Sequence, residues 1–380
     1  MTKIFVYEYL TGGGIDPDLA GPGSLADLSA LIVEGRVMRD ALVSGLRAVD
    51  GVQVTYASSR FETPAAGDAH CMAAAGESMT AFVARVAREH DYAWIVAPEC
   101  DGLLLRFYDA VGAGRWLGCG KEAIRVTSSK SATAARLAGC GIAVTPALEG
   151  GDPVESGGVV GAGDSFALQK GRWVVKPDDG AGGLDTVVFD RYADACAEYH
   201  ARAAAARNPV LQAWVEGEPL SLSLICGDGG ACELISINRQ QIGLSGLGDD
   251  SDSDAVATRD APQIVEFDGV LVDQIELRSE RGRTLDALAQ QVARAIPGLR
   301  GFVGIDVVWH PQRGPVVIEV NPRVTVAYAG LSAARGGDLT RALLAAHGVF
   351  VEPSAVTREQ SQSQSQSHSR PMPSLAEVRS

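Results

Sequence analysis

Two acids placed inside apolar strand sequence constrain this chain more than any other feature. Gly301 to Arg323 reads GFVGIDVVWHPQRGPVVIEVNPR. Two apolar runs, Phe302–Trp309 and Pro315–Val320, flank a His-Pro-Gln-Arg-Gly turn, which is the pattern of a β-hairpin. Asp306 interrupts the first run and Glu319 the second. Glu319 and Asn321 stand two residues apart, so they project from one face of their strand, and Asp306 reaches that face from the neighbouring strand. Two carboxylates and an amide oxygen converging on one spot form a hard-oxygen site suited to Mg²⁺, which takes few protein ligands and completes its shell with phosphates and water. The alternative is an exposed hairpin with solvated acids, and the neighbours of these acids are too apolar for a wet face.

A chain of 380 residues has room for two or three domains with real cores. Its formal charge of −14 argues against a nucleic-acid or anionic-membrane partner, since both need clustered basic residues. A metal–nucleotide ligand can still bind through a local basic pocket. No stretch has the uninterrupted apolar length that spans a bilayer, and the opening MTKIFVYEYLTGGG carries an acid within its apolar run, so it reads as a first strand. The seven cysteines form no CxxC pair, which suggests reduced thiols and a cytoplasmic location.

In order, Lys3–Leu10, Val52–Ala57 and Tyr92–Ala97 read as strands, separated by helical patterns within Ser24–Val49 and over Met79–His90. Strands alternating with helices predict a parallel sheet covered by helices. Gly12 and Gly13, after the first strand, offer either an anion-binding concavity or a simple tight turn. Glu99, after the third strand, is placed to line a cleft at the carboxyl ends of the strands. From Glu122 the pattern changes. A helix over Ser131–Ala138 precedes a strand ending at Pro146, and the Gly-rich residues 149–164 are expected to be a mobile connection. Further strands are expected at Trp173–Lys176, Val210–Val215, Leu220–Cys226 and Cys232–Gln240, with helices at Asp194–Arg207, Thr284–Ile296 and Asp338–His347. Residues 245–262 read as an acidic solvated loop and 352–380 as a disordered low-complexity tail.

Three further motifs are modest when taken singly. Lys176 ends a short strand and is followed by Pro-Asp-Asp-Gly180-Ala181-Gly182-Gly183, a cation beside a loop whose backbone can approach phosphates. Asp178 and Asp179 would repel phosphate, so they are expected to organise that turn. Lys130 sits near a helix start, where the dipole also favours anions. Gln212, Trp214 and Val215 precede a Glu-Gly-Glu turn, where backbone groups can read an adenine edge. An ordinary strand and turn would look the same.

The order of these motifs resembles the ATP-grasp superfamily over about residues 115–345, and E-V-N-P-R with Asp306 thirteen residues before Glu319 is the most specific part. The resemblance implies an α/β N-terminal domain (1-114), then a two-subdomain α+β ATP-grasp fold (115-208 and 209-351). It also implies ATP as cofactor with Mg²⁺, or Mn²⁺ in its place. Lys130 and Lys176 would contact the phosphates, and Gly180, Ala181, Gly182 and Gly183 would form the phosphate lid. Gln212, Trp214 and Val215 would line the adenine pocket, with Asp306, Glu319 and Asn321 on the metal. Arg323 would steady the transferred phosphoryl group. Two departures stand out: Ser129 where many relatives have Asp, and Pro219 where the ribose-binding acid often stands, which passes that role to Glu218.

Within the superfamily, F-V-Y-E-Y-L-T-G-G-G, A-P-E-C-D-G-L-L, S-I-N-R-Q and N-P-R-V-T-V-A-Y-A-G-L are similar to tyramine–glutamate ligases of methanofuran and methylofuran synthesis. That resemblance implies small-molecule partners, a carboxylate and an amine, joined through an acyl phosphate. It places Gly12, Gly13, Glu99, Asn238, Arg239 and Gln240 near the substrates, leaves tyramine against tyrosine open, and allows a homodimer. A ligase for other amino acids or peptides, a phosphotransferase onto a hydroxyl, and a nucleotide-binding regulator without turnover are the alternatives.

Overall fold

The computed structural model describes residues 1–15, 24–64, 67–145, 147–148, 171–180, 182–246 and 261–350. The expected Gly-rich connection at 149–164, most of the acidic loop, the tail and Ala181 lie outside the described residues.

β1 (Thr2–Glu8), β2 (Val52–Ala57), β3 (His70–Cys71), β4 (Tyr92–Val96) and β5 (Trp116–Leu117) form a parallel sheet in the order β3-β2-β1-β4-β5. Parallel strands are stable when both faces are covered, and β1 shows why. Phe5 and Tyr7 pack with Phe82 of α2 (Met79–Ala87) and with Leu104 and Phe107 of α3 (Leu103–Val111). Ile4 and Val6, on the opposite face, pack with Leu42 and Leu46 of α1 (Ser24–Arg47). The strand order reverses between β1 and β4, and such a switch point opens a crevice at the carboxyl ends of the strands. Two turns stand there, Leu10–Gly14 after β1 and Cys100–Gly102 after β4.

After α4 (Lys121–Thr127) and α5 (Lys130–Ala138) comes an antiparallel sheet of eight strands. These are β6 (Trp173–Pro177), β7 (Val187–Phe189), β8 (Pro209–Ala213), β9 (Glu218–Cys226), β10 (Cys232–Gly246), β11 (Gln263–Leu271), β12 (Gly301–His310) and β13 (Gly314–Asn321), in the order β13-β12-β9-β10-β11-β7-β6-β8. α6 (Tyr192–Ala204) covers one end through Ala195, against Trp173, Val175 and Leu211. α7 (Glu280–Ala295) buries Leu285, Leu288 and Val292 in the cluster that holds Leu220, Leu222 and Leu224 of β9. That same cluster continues to Phe5 and Phe107, so a single core joins the two sheets. α8 (Ala327–Arg335) and α9 (Gly337–Ala346) close the other side against α1 through Tyr328, Leu331 and Leu343.

The expected α/β plus α+β class is the observed one. Local differences have local causes. The strand expected up to Pro146 reduces to one bridge, Val144 with Val317, on the edge of β13. β11 breaks its apolar residues with Glu266, Asp268 and Gly269, so they form neither a continuous run nor a clean alternation. α8 begins directly after the N-P-R-V-T-V segment with no side-chain cap.

Gly301 opens β12 with φ of 72°, and a Cβ there would stand 2.4 Å from His347 Nε2. Left-handed backbone costs a side chain about 1–2 kcal/mol, before the imbedded imidazole is displaced. Gly301→Ala is therefore expected to lower unfolding stability by about 2 kcal/mol or more. Chemical denaturation should also show Gly301→Ala/His347→Ala recovering part of its loss relative to His347→Ala alone, because the collision is gone and the backbone strain remains.

Candidate active site

The β12–β13 register sets Asp306 directly opposite Glu319, and on its other side opposite Ser221 of β9. Opposed residues on antiparallel strands share a face. A register irregularity after Asp306 breaks the regular pairing next to this pair, as bulges do beside functional sites. Asn321 Nδ2 donates to Asp306 Oδ2 at 3.1 Å, and Gln240 Nε2 donates to Asp306 Oδ1 at 3.1 Å. Burial first, and then the adjoining Glu319, push the Asp306 carboxyl well above the usual carboxylate range. Burial works the same way on Glu319, yet Lys130 and Lys176 outweigh it and hold Glu319 below that range.

Lys130 Nζ lies 3.5 Å from Glu319 Oε2 and donates to the Gly180 carbonyl. Lys176 is 7% exposed, and burial, with Lys130 nearby, lowers it to about 8 against the pull of Glu319, Asp306 and Asp178. A buried lysine in that condition gains from any further anion brought to it. The glycine loop is tied to α5 by Asp178. Its Oδ1 accepts from Ser131 N–H at 2.8 Å and its Oδ2 from Ser129 Oγ at 2.6 Å, while Lys130 N–H donates to its carbonyl at 2.9 Å. Ser129 also caps α5, accepting from Ala132 N–H at 3.0 Å. Serine at this position is thus matched to an aspartate on the loop. Asp178 organises the turn, as its sequence context predicts.

A cavity of about 620 Å³ lies between the two sheets, within the usual span of small-molecule sites, roughly 300–1,000 Å³. Lys130, Lys176, Gly180, Gly182, Gly183, Gln212, Trp214, Val215, Gln240, Asp306, Glu319, Asn321 and Arg323 all line it. Gln212 is 2% exposed, and its Nε2 donates to the Thr145 carbonyl at 2.7 Å. Arg172 stacks 5.2 Å from the centre of the Trp214 ring. Trp214 Nε1, Thr145 Oγ1 and Thr325 Oγ1 are buried on cavity-lining residues and lack a hydrogen-bond partner among the described residues. Orphaned polar atoms of this kind are what a polar ligand would satisfy.

Other candidates are not brought together. Glu218 does not line the cavity and is paired with Arg239 at 2.7 Å and Arg281 at 2.5 Å. Those two cations hold it below the usual carboxylate range despite burial. Arg239 is the other half of that pair, and its side chain is engaged away from the cavity. Asn238 is fully buried, bonded to Ser236, Ser223 and the Asp273 N–H within the protein. Gly12 packs against Tyr7 and Ala57, where a Cβ would stand 2.7 Å from the Tyr7 ring, and Gly13 lies near Met79 and Ser59. Neither lines the cavity, so the turn reading of that segment fits the geometry. Glu99 is 5% exposed and pairs with Arg323. Conversely, Glu8, Glu34, Thr145 and Thr325 line the cavity without a sequence signal that marks them. Glu34 sits within an unremarkable long helix, and Thr325 is recognisable only by its place after N-P-R.

The donor set fits a hard divalent cation: two carboxylates crowded in one buried spot, an amide beside them, and charge that the protein leaves partly uncompensated. Asp306, Glu319 and Asn321 would hold it. Among the described residues there is no group of three or more His, Cys, Asp or Glu side chains that could hold a metal ion. No helix among the described residues is long and apolar enough to cross a membrane.

Comparison with known proteins agrees with this arrangement. The ATP-grasp domain family matches residues 127–327, and the pre ATP-grasp 3 domain family matches residues 52–124. A tyramine–L-glutamate ligase of Methanocaldococcus jannaschii is 27% identical over 243 residues, covering 63% of this chain and 58% of the relative. The chain thus spans under two thirds of the curated relatives' length. An ATP-grasp superfamily protein from Archaeoglobus fulgidus has a similar structure, with a TM-score of 0.61 and 22% identity over 91% of this chain and 88% of that one. The D-alanine–D-alanine ligase of Bacillus anthracis complexed with ATP superposes with a TM-score of 0.55 and 14% identity, over 95% of this chain and 100% of that one.

Removing the Asp178 carboxylate breaks two of the bonds that tie the loop to α5. Asp178→Ala should lower unfolding stability by about 1–3 kcal/mol, the scale of a lost cap plus an unpaired buried group. In thermal melts Asp178→Asn should fall between Asp178→Ala and the parent protein, since it keeps one acceptor.

Proposed function

This chain belongs to the ATP-grasp domain family, and from that premise we propose that it is an ATP-dependent carboxylate–amine ligase. The observation that carries the reading is the meeting of Lys130 and Lys176 with the Asp306–Glu319 pair at one cavity. Cations beside a hard-cation site, at one cavity, are what a metal-bound triphosphate needs.

Bound at Asp306, Glu319 and Asn321, Mg²⁺ would neutralise triphosphate charge and orient the γ-phosphoryl group. Lys130 and Lys176 bind the phosphates, with the backbone of Gly180, Gly182 and Gly183 beside them. Gln212, Trp214 and Val215 bound the adenine end. Arg323 presents its guanidinium to the phosphoryl group as it passes to the substrate carboxylate, giving ADP and an acyl phosphate. An amine then attacks the acyl carbon, phosphate leaves, and an amide remains. The protein contributes position and fixed charge, the principal terms in phosphoryl transfer. The apolar walls Val307, Ile318 and Phe267 keep water from the intermediate.

The amine is supported by the opposite wall. The cavity residues from the N-terminal domain include Glu8 and Glu34, with Leu10, Leu31 and Met38, and no lysine or arginine among those described. Glu8 is 3% exposed and its carboxylate accepts from Leu10 and Thr11, so Glu34 is the acid that a cation with an apolar body would meet on this wall. Together with the similarity to tyramine–L-glutamate ligases, this favours the side-chain carboxylate of L-glutamate and tyramine or tyrosine as substrates, in a furan-type one-carbon cofactor route.

The test is ADP and phosphate release from Mg-ATP with L-glutamate, with and without tyramine or tyrosine, followed by product mass. ADP release that requires both partners and a glutamyl amide product is expected; ADP with other amines only would keep the chemistry and reject these substrates. Lys176→Ala and Glu319→Ala should each reduce ADP release by about 10²–10³-fold or more. Near-normal turnover in either variant would remove the assignment.

A further inference from the structure

The Arg323 guanidinium has five N–H bonds in a fixed plane. Three are already used. Nε donates to Glu99 Oε1 at 2.9 Å, Nη2 to Glu99 Oε2 at 3.1 Å, and Nη1 to the Val324 carbonyl at 3.3 Å. One N–H remains on each Nη, and Arg323 lines the cavity. A carboxylate that takes the Nε/Nη2 edge in bidentate fashion fixes the guanidinium plane and turns the remaining edge outward.

Glu99 itself is not a cavity-lining residue and sits behind the arginine, 5% exposed. It belongs to the short turn that follows β4, where Asp101 has φ of 53° and Gly102 φ of 66°. That turn makes a second connection: Asp101 N–H donates to Asp179 Oδ2 at 2.7 Å, on the glycine loop beside Lys176. One turn of the N-terminal domain therefore grips both the arginine and the loop of the domain that carries the cation site.

We propose that Glu99 is a positioning residue for the phosphoryl transfer, holding the Arg323 fork so that its free Nη edge meets the transferred group, and that the N-terminal domain enters the chemistry through this contact. The proposal rests on the ligase reading above. It assigns Glu99 to the arginine and not to a substrate. Precise aim matters here because a misplacement of about 1 Å can cost on the order of 10²-fold in rate.

The test compares the full-length protein with Glu99→Gln and Glu99→Asp. The first replaces one acceptor by an N–H that opposes the guanidinium; the second keeps the charge on a shorter arm. Breaking a buried pair can unfold a protein, so each variant is first melted, and Glu99→Asp is read alone if Glu99→Gln does not fold. The expected result is a fall in kcat of about 100-fold for Glu99→Gln and a smaller fall for Glu99→Asp. The ATP dissociation constant by calorimetry and both substrate KM values should stay within about threefold. Unchanged kcat overturns the proposal. A raised KM for the carboxylate or the amine with kcat retained also overturns it, making Glu99 a substrate contact. So does a lower melting temperature with full activity per folded molecule, which would make the pair a brace. A parent protein silent toward every carboxylate and amine, seen before any variant is made, overturns the ligase reading and this role with it.

Discussion

Asp306 and Glu319 cannot both carry full charge at close range in an apolar surround without compensation, and the arrangement of the rest of the molecule follows from that. Like charges brought together out of water repel strongly, and each is further penalised by burial. The protein supplies Lys130 and Lys176 to Glu319, and the amides of Asn321 and Gln240 to Asp306. The compensation is incomplete, since Asp306 still sits well above the usual carboxylate range. A divalent cation with a polyanionic ligand would complete it. Charge in this site suits a cation with an anionic ligand, and the cavity of about 620 Å³ has room for both.

Holding four such groups in place requires long-range structure. The two acids come from paired strands, Lys176 from the far end of the same sheet, and Lys130 from a helix whose first turn is capped by Ser129 and bonded to Asp178. The eight-stranded sheet curls so that β6 and β12, well separated in strand order, contribute to one cavity. The N-terminal domain adds a wall at the strand-order switch point of its sheet, with Glu8 and Glu34 among the lining residues and Glu99 behind Arg323. Each domain is incomplete without the other at this place.

Much of this was legible in the sequence. Acids inside apolar runs, with the turn between them, set the hairpin, its shared face and the approach of Asp306 to Glu319. The lysines and glycines were weak alone and became informative through their order. Where candidate residues lie apart from the cavity, the reason is that side-chain partners are decided in three dimensions. Glu218 stands in a suitable turn, yet Arg239 and Arg281 converge on it from β10 and α7. Asn238 and Gln240 are two residues apart on one strand; the first is buried in a hydroxyl–amide network, whereas the second reaches Asp306. Glu34 carries no local signal at all, because only the docking of α1 beside the cavity gives it a role.

The most direct measurement of the central claim follows oxygen. If the substrate carboxylate attacks the γ-phosphorus and an amine then displaces phosphate, one carboxylate oxygen must leave with that phosphate. With ¹⁸O-labelled glutamate, Mg-ATP and tyramine, the account predicts inorganic phosphate carrying one ¹⁸O for each amide formed. Unlabelled phosphate released alongside ADP would show that the carboxylate is not phosphorylated, and would contradict the reading of this site as an acyl-phosphate ligase.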